Sequence, residues 1–142
     1  MSKIACFKAY DIRGKVPSEL NSELSYKIAK GFTKLTDCKS VVLGYDVRSH
    51  SKLIMESLTN GFLDLGVDVI DIGLCGTEMI YFGTSFLGTD GGIMITASHN
   101  PPEYNGMKFV KKNSVPISYD SGLNEIEKFI VENNLPQTSE KK

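Results

Sequence analysis

The feature that most constrains the fold is an alternation along the chain between short apolar runs and segments with helical periodicity. Residues 40–44 form a short β-branched run, which is typical of a buried strand. Apolar side chains then recur at helical spacing from Leu53 or Ile54 to Leu65, which predicts a helix with one buried face. Residues 67–73 alternate apolar and polar side chains, which predicts another strand. This order favours two parallel strands joined by a helix that packs on the sheet.

The same alternation extends in both directions along the chain. We therefore predict one α/β domain, a three-layer α/β/α sandwich around a mostly parallel, mixed sheet, over residues 1–134, with a polar tail at residues 135–142. The other expected elements are a strand at residues 7–14, a helix at 22–35 capped by Asn21, a helix at 50–65 capped by Ser49 and stopped by Gly66, a helix from Thr77 to about Leu87, strands at 91–95 and 106–110 paired as a hairpin, and a last helix capped by Asp120 or Ser121.

Charge, apolar segments and cysteine content indicate which partners and which cellular compartment to expect. The formal net charge of −1 argues against a surface for nucleic acid or anionic membranes. The N-terminus has no apolar signal segment, and no apolar run approaches the roughly 20 residues of a membrane-spanning helix. Cys6, Cys38 and Cys75 are far apart and odd in number, which favours reduced thiols, each a small core or surface residue, over disulfides or a zinc site. We expect a soluble, cytoplasmic protein.

The strand at residues 91–95 runs into an abruptly polar segment, Thr-Ala-Ser-His-Asn-Pro at residues 96–101. Pro101 and Pro102 lack backbone N–H groups and have a restricted φ, so this segment is predicted to be a stiff loop. Ser98 would thus stand on a rigid loop at the end of a strand, a common position for a reactive side chain.

Cationic side chains are expected around this serine, because ligands of open α/β sheets sit beyond the carboxyl ends of the strands. Arg13, Arg48 and Lys108 fall at or near such ends. The chain lacks the G-x-S-x-G elbow of serine hydrolases. Three cations near one hydroxyl instead suit phosphate, whose charge is spread over three oxygens during transfer.

Three motifs then carry a family resemblance. Residues 96–101, followed by Tyr-Asn-Gly-Met-Lys at 104–108, resemble the phosphoserine loop of the α-D-phosphohexomutases. Residues 7–14 are similar to the N-terminal motif of that family, and residues 44–48 to its G-x-D-x-R turn. The resemblance covers residues 4–134 and is greatest to bacterial phosphomannomutases, which feed GDP-mannose synthesis.

The resemblance implies a mechanism. Ser98, phosphorylated at rest, would give its phosphoryl group to mannose 1- or 6-phosphate and take back the other phosphate of the resulting hexose 1,6-bisphosphate. Magnesium would bind an oxygen of the Ser98 phosphate. Lys108 would shuttle a proton or stabilise charge. His99, grouped with Ser98 and Lys108 as catalytic, would position the loop or its phosphate. The residues expected to bind substrate and its phosphate are Tyr10, Arg13, Arg48 and Asn100.

Other interpretations of these residues stay open. Tyr10 could be a packed core aromatic, and Arg48 could pair only with Asp46 or Asp11. Asp11 is interpreted as structural, and His50 is given no function. Family enzymes have four domains, and this chain contains neither the Asp-rich magnesium loop, nor the sugar-recognition loop, nor the C-terminal phosphate-binding domain. The alternatives are therefore a phosphoglucomutase or phosphoglucosamine mutase domain, or a non-catalytic fragment that binds a sugar phosphate or a partner domain.

Overall fold

The computed structural model describes residues 4–47, 50–96 and 100–136. No helix within these ranges has the length and apolar character needed to cross a membrane. The elements of these residues are, in chain order, β1 (Ile12–Lys15), α1 (Ser22–Thr36), β2 (Ser40–Tyr45), α2 (Ser51–Asp64), β3 (Asp68–Leu74), α3 (Thr77–Phe86), β4 (Gly91–Ile95), β5 (Tyr104–Lys111), a 3-10 turn (Lys112–Ser114), β6 (Val115–Pro116), a π-helical turn (Tyr119–Leu123) and α4 (Asn124–Val131).

The strands described here form one mixed sheet in the order β1-β5-β4-β2-β3, with the short β6 beside β5. β2 pairs in parallel with both β3 and β4, as the strand–helix–strand pattern predicted. β4 and β5 form the expected antiparallel pair, and β1 extends the sheet antiparallel to β5. The α/β/α fold class is confirmed, with its parallel part at β4-β2-β3.

Helices cover both faces of the sheet, but unequally. The main core packs α1, α2 and α4 against one face; Phe32 of α1 lies at its centre, 6.0 Å from the ring of Phe62 and 5.9 Å from that of Phe109. On the other face, α3 contributes Ile80 to a smaller cluster with Val42, Met94 and Val110. Among the described residues, α3 is the helix that packs on this second face.

Several local predictions are confirmed. Asn21 caps α1, its Oδ1 accepting a hydrogen bond of 2.9 Å from the Leu24 backbone N–H. Gly66 follows the end of α2 with a φ of +77°, a conformation that glycine adopts without steric cost. Ile54 is the buried member of the pair Leu53 and Ile54.

The N-terminal strand is shorter than predicted. Only Ile12–Lys15 pairs in the sheet, and residues 8–11 instead form a turn in which the Lys8 N–H donates to the Asp11 carbonyl at 2.9 Å. The apolar–polar alternation of residues 7–14 was misleading because Phe7 folds back to bridge Ile12. This turn brings Asp11 beside β5.

Two predicted helix caps and the position of the last strand also need correction. Ser118, not Asp120 or Ser121, begins the final helical segment, because its extended backbone allows the capping box in which Ser121 Oγ accepts from the Ser118 N–H. His50 occupies the cap position of α2, and the predicted cap Ser49 lies outside the described residues. The predicted last strand, β5, is followed by the two residues of β6.

Candidate active site

A buried carboxylate joins two of the predicted phosphate-binding cations. Asp11 is 3% exposed, and its Oδ2 accepts from the Arg13 guanidinium at 2.7 Å and from Lys108 Nζ at 3.0 Å. Arg13 lies opposite Gly106 in the antiparallel pairing of β1 and β5, so Arg13 and Lys108 project from the same face of the sheet. The turn at residues 8–11 places the carboxylate between them. We call Asp11, Arg13 and Lys108 the charged cluster.

The charged cluster keeps an excess of positive charge. One carboxylate offsets one of the two cations, so the three formal charges sum to +1. The side chains of Arg13 and Lys108 are 35% and 29% exposed, which leaves donors of both within reach of a ligand. Arg13 Nε is buried and has no hydrogen-bond acceptor within the described part of the chain. Such a cluster favours an anionic ligand, and the fork of an arginine suits phosphate oxygens.

Two concavities adjoin the charged cluster. A groove of about 480 Å³ is lined by Tyr10, Asp11 and Arg13 together with Asn100. A smaller hollow of about 160 Å³ is lined by Tyr10 and Lys108. Tyr10 borders both and is 80% exposed, so its interpretation as a packed core aromatic is wrong.

Four of the seven predicted site residues are thus gathered in one region: Tyr10, Arg13, Asn100 and Lys108. Arg48, Ser98 and His99 lie outside the described residues, and so does any ion pair of Arg48 with Asp46 or Asp11. The roles predicted for all seven remain predictions.

Asn105, which the sequence interpretation overlooked, is fully buried and joins two loops. Its Nδ2 donates to His50 Nδ1 at 2.9 Å and to Ser51 Oγ at 2.8 Å, while its Oδ1 accepts from the Gly106 N–H at 2.8 Å. Ser51 Oγ in turn donates to Asp46 Oδ1 at 3.0 Å. All the hydrogen-bonding atoms of the Asn105 amide are therefore used.

The same network assigns a structural role to His50, to which no function was given. Because Nδ1 accepts from Asn105, the ring proton lies on Nε2, which donates to the Pro102 carbonyl at 3.1 Å. His50 thereby ties the start of α2 to the segment that leads into β5. The only sequence signal was that Asn105 stands inside the Tyr-Asn-Gly-Met-Lys motif; the two side chains to which its Nδ2 donates are more than 50 residues away.

The cysteines are not candidate nucleophiles. Burial raises the pKa of Cys6 to about 12 and also raises the pKa of Cys38, so both thiols stay protonated near neutral pH. Desolvation likewise raises the pKa of Cys75, which is partly buried. All three are free thiols, as predicted, and Cys6 and Cys38 are buried.

The described residues do not form a metal site by themselves. Within residues 4–47, 50–96 and 100–136, no three His, Cys, Asp or Glu side chains are grouped as metal ligands. The cluster of two cations around Asp11 is also unsuited to Mg²⁺, which requires oxygen ligands. No step of the chemistry is therefore assigned to a metal held by these residues.

Comparison with known proteins supports the family resemblance that the three motifs carry. Residues 5–137 match the family model described as phosphoglucomutase/phosphomannomutase, alpha/beta/alpha domain I. A structure of a phosphoglucomutase/phosphomannomutase family protein from Burkholderia thailandensis superimposes with a TM-score of 0.85 at 31% identity, covering 98% of this chain and 32% of that one.

Curated relatives share about half of the residues. A phosphomannomutase of Escherichia coli K12 is 49% identical over 142 residues, which are 100% of this chain and 31% of the relative. A phosphomannomutase of Klebsiella pneumoniae is 49% identical over 136 residues, which are 96% of this chain and 87% of the relative. The chain thus spans about a third of the length of the E. coli protein. It belongs to the phosphoglucomutase/phosphomannomutase family, whose α/β/α domain I it matches.

Proposed function

We propose that this chain is the phosphoserine-bearing domain of a phosphomannomutase, which interconverts mannose 6-phosphate and mannose 1-phosphate through a hexose 1,6-bisphosphate. The observation that carries the proposal is the charged cluster, in which Asp11 holds Arg13 and Lys108 side by side with a surplus positive charge. Ser98 carries the phosphoryl group, and the motif around it supports that assignment.

In the proposed reaction, a free hydroxyl oxygen of the sugar phosphate attacks the phosphorus on Ser98. A new P–O bond forms to the sugar, the P–O bond to Ser98 breaks, and the hydroxyl proton passes to a base while the serine oxygen regains a proton. The second half runs in reverse with the other phosphate of the bisphosphate. The main requirement is to stabilise the negative charge on the oxygens of the transferring phosphoryl group, and Arg13 and Lys108 supply the positive charge that does so.

The remaining site residues support this transfer. Lys108 Nζ is already held by Asp11 and either stabilises charge or passes the proton. Tyr10 and Asn100 line the groove beside Arg13 and contact the substrate or its phosphate. Arg48 and His99 position the Ser98 loop and its phosphate.

The domain works as part of a larger enzyme. We assign residues 1–134 to the domain and residues 135–142 to a polar tail, with the magnesium ligands other than the Ser98 phosphate and the sugar-recognition loop in later domains. The chain alone then has the nucleophile but little turnover. The free cysteines agree with an enzyme of the cytoplasm, where its product would feed GDP-mannose synthesis.

A glucose-directed mutase is the second candidate, because the matching family model covers both phosphoglucomutases and phosphomannomutases. Phosphoglucosamine mutase belongs to the same class of alternatives. A non-catalytic fragment that binds a sugar phosphate or a partner domain is the third, and it predicts no covalent phosphate.

The experiment is intact-mass measurement of a chimera, in which this chain replaces the matching third of the E. coli phosphomannomutase so that later domains are present, after incubation with mannose 1,6-bisphosphate or glucose 1,6-bisphosphate and Mg²⁺. We expect one added phosphoryl group in the wild type and none in Ser98→Ala, with Ser121→Ala as the matched serine control that is still labelled. Absence of label, or a label that persists in Ser98→Ala, contradicts the proposal.

A further inference from the structure

The outer face of α3 is an apolar surface without a covering element among the described residues. Met79, Phe82 and Phe86 are 49%, 61% and 73% exposed, and Leu87 just beyond the helix is 46% exposed. The spacing of residues 79, 82 and 86 puts them on one side of the helix. The buried residues of α3, which are Ile80, Gly83 and Thr84, lie on the side that faces the sheet. We call Met79, Phe82, Phe86 and Leu87 the α3 surface.

The α3 surface is organised as well as exposed. The rings of Phe82 and Phe86 stack with their centroids 5.1 Å apart and their planes 14° apart. From the 150–250 Å² that an aromatic side chain can bury, the four exposed side chains offer on the order of 400 Å². Apolar patches of that size on soluble proteins mark interaction sites. Phe and Met are among the residues enriched at protein interfaces relative to the rest of the surface.

The size of the surface and the length of the relatives indicate its occupant. A stable complex between separate chains buries about 800 Å² per partner, whereas domains of one chain commonly share interfaces of about 600–1,500 Å² in total. With an equal area contributed by the partner, the α3 surface would bury on the order of 800 Å² in total, which lies in the second range. This chain matches only 31% of the E. coli relative and 32% of the Burkholderia structure, so about two-thirds of each of those proteins is available to cover it.

The α3 surface also adjoins the charged cluster. Lys108 lies opposite Met94 in the register of β4 and β5, and Met94 packs with Ile80 of α3, so Lys108 and α3 share one face of the sheet. Tyr81 of α3 lines the hollow of about 160 Å³ together with Tyr10 and Lys108. A body seated on α3 therefore stands beside the cations that face the groove.

We propose that the α3 surface is the docking face for an apolar patch on a later domain of the full-length protein, and that this docking adds a wall to the site beside Lys108. The proposal rests on the part of the proposed function that makes this chain one domain of a larger protein, whereas docking itself requires no phosphoryl transfer. It assigns to Phe82 and Phe86 the main contacts.

The test uses this chain and the part of the E. coli phosphomannomutase that the chain does not match. Binding between the two is measured by sedimentation velocity, and hydrogen exchange is measured over α3. We expect a complex, protection of α3 in that complex, and more than tenfold weaker binding for the double variant Phe82→Ser/Phe86→Ser. Leu63→Ser, which changes a 55% exposed leucine of α2, is the matched control and should bind normally.

A chimera in which this chain replaces the matching third of the E. coli protein provides the second measurement, because its domains are covalently joined. Protection of α3 in the chimera relative to the free chain supports the proposal. Equal exchange of α3 in both, or a free chain that dimerises through Phe82 and Phe86, overturns it. Neither readout depends on phosphoryl transfer, so failure of Ser98 labelling would leave the docking result standing.

Discussion

Replacing Asp11 with asparagine would test whether the charged cluster is held together by its carboxylate. The substitution keeps the shape of the side chain and turns the carboxylate that accepts from Arg13 and Lys108 at 2.7 and 3.0 Å into a neutral amide with a single acceptor oxygen. We expect a less stable domain in which these two cations repel each other without an intervening anion.

The size of the stability loss in Asp11→Asn depends on how deeply the ion pairs are buried. Removing one partner of a fully buried ion pair costs about 3–5 kcal/mol. Asp11 is buried, but the side chains of Arg13 and Lys108 retain 35% and 29% exposure, so water replaces part of what is lost. Discounting for that screening, we expect a loss of about 2 kcal/mol in the free energy of unfolding.

Urea unfolding of Asp11→Asn, Lys108→Met and the double variant gives the coupling energy between the two residues. We expect about 1 kcal/mol, decreasing at high salt. The exposed pair Asp37 and Lys39, 3.3 Å apart, is the matched control, and the corresponding variants should show coupling below about 0.5 kcal/mol. Effects of Asp11→Asn and Lys108→Met that add within about 0.3 kcal/mol would refute the proposed arrangement.

Three further predictions concern the network around Asn105, a buried thiol and a helix cap. Asn105→Leu should cost about 3 kcal/mol in urea unfolding, because it removes three hydrogen bonds and leaves the buried Gly106 N–H without its acceptor; an effect below about 1 kcal/mol would contradict the network. The pKa of Cys6 is raised in the folded chain from 9.0 to about 12, so the unfolded chain loses the thiol proton first as the pH rises. The contribution of Cys6 to stability is therefore complete below pH 9 and is lost between pH 9 and 12, by up to about 1.4 kcal/mol per pH unit. Cys6→Ala should flatten that part of a curve of unfolding free energy against pH, and an unchanged slope would oppose the reasoning. Asn21→Ala should lower the free energy of unfolding by about 1 kcal/mol through loss of the α1 cap, with the exposed Ser18→Ala as an unaffected control in thermal unfolding.

Local periodicity was sufficient to predict the main helices and strands. The apolar spacing before Leu65 is typical of a helix with one buried face, and the short length and β-branched residues of β2 favour a buried strand. Asn21 was identifiable as a cap because its partner, the Leu24 N–H, lies three residues away. Where stabilising contacts are this local, the chain segment carries the information by itself.

The turn at residues 8–11 could not be predicted in this way. It is fixed by distant partners: the Tyr119 N–H donates to the Ala9 carbonyl at 2.7 Å, and Lys108, 97 residues along the chain from Asp11, donates to its carboxylate. The sequence therefore indicated only a structural role for Asp11, whereas the fold places its carboxylate at the centre of the charged cluster. The contacts of His50 depend in the same way on a partner 55 residues away.

The most direct test of the central claim is the rate at which Ser98 is phosphorylated by a hexose 1,6-bisphosphate in Lys108→Met compared with Lys111→Met. Both lysines lie on β5, but Lys108 belongs to the charged cluster and Lys111 is exposed at the end of the strand. If the charged cluster stabilises the transferring phosphoryl group, Lys108→Met should label at least tenfold more slowly than the wild type, and Lys111→Met at the wild-type rate. Equal rates in the two variants would contradict the claim.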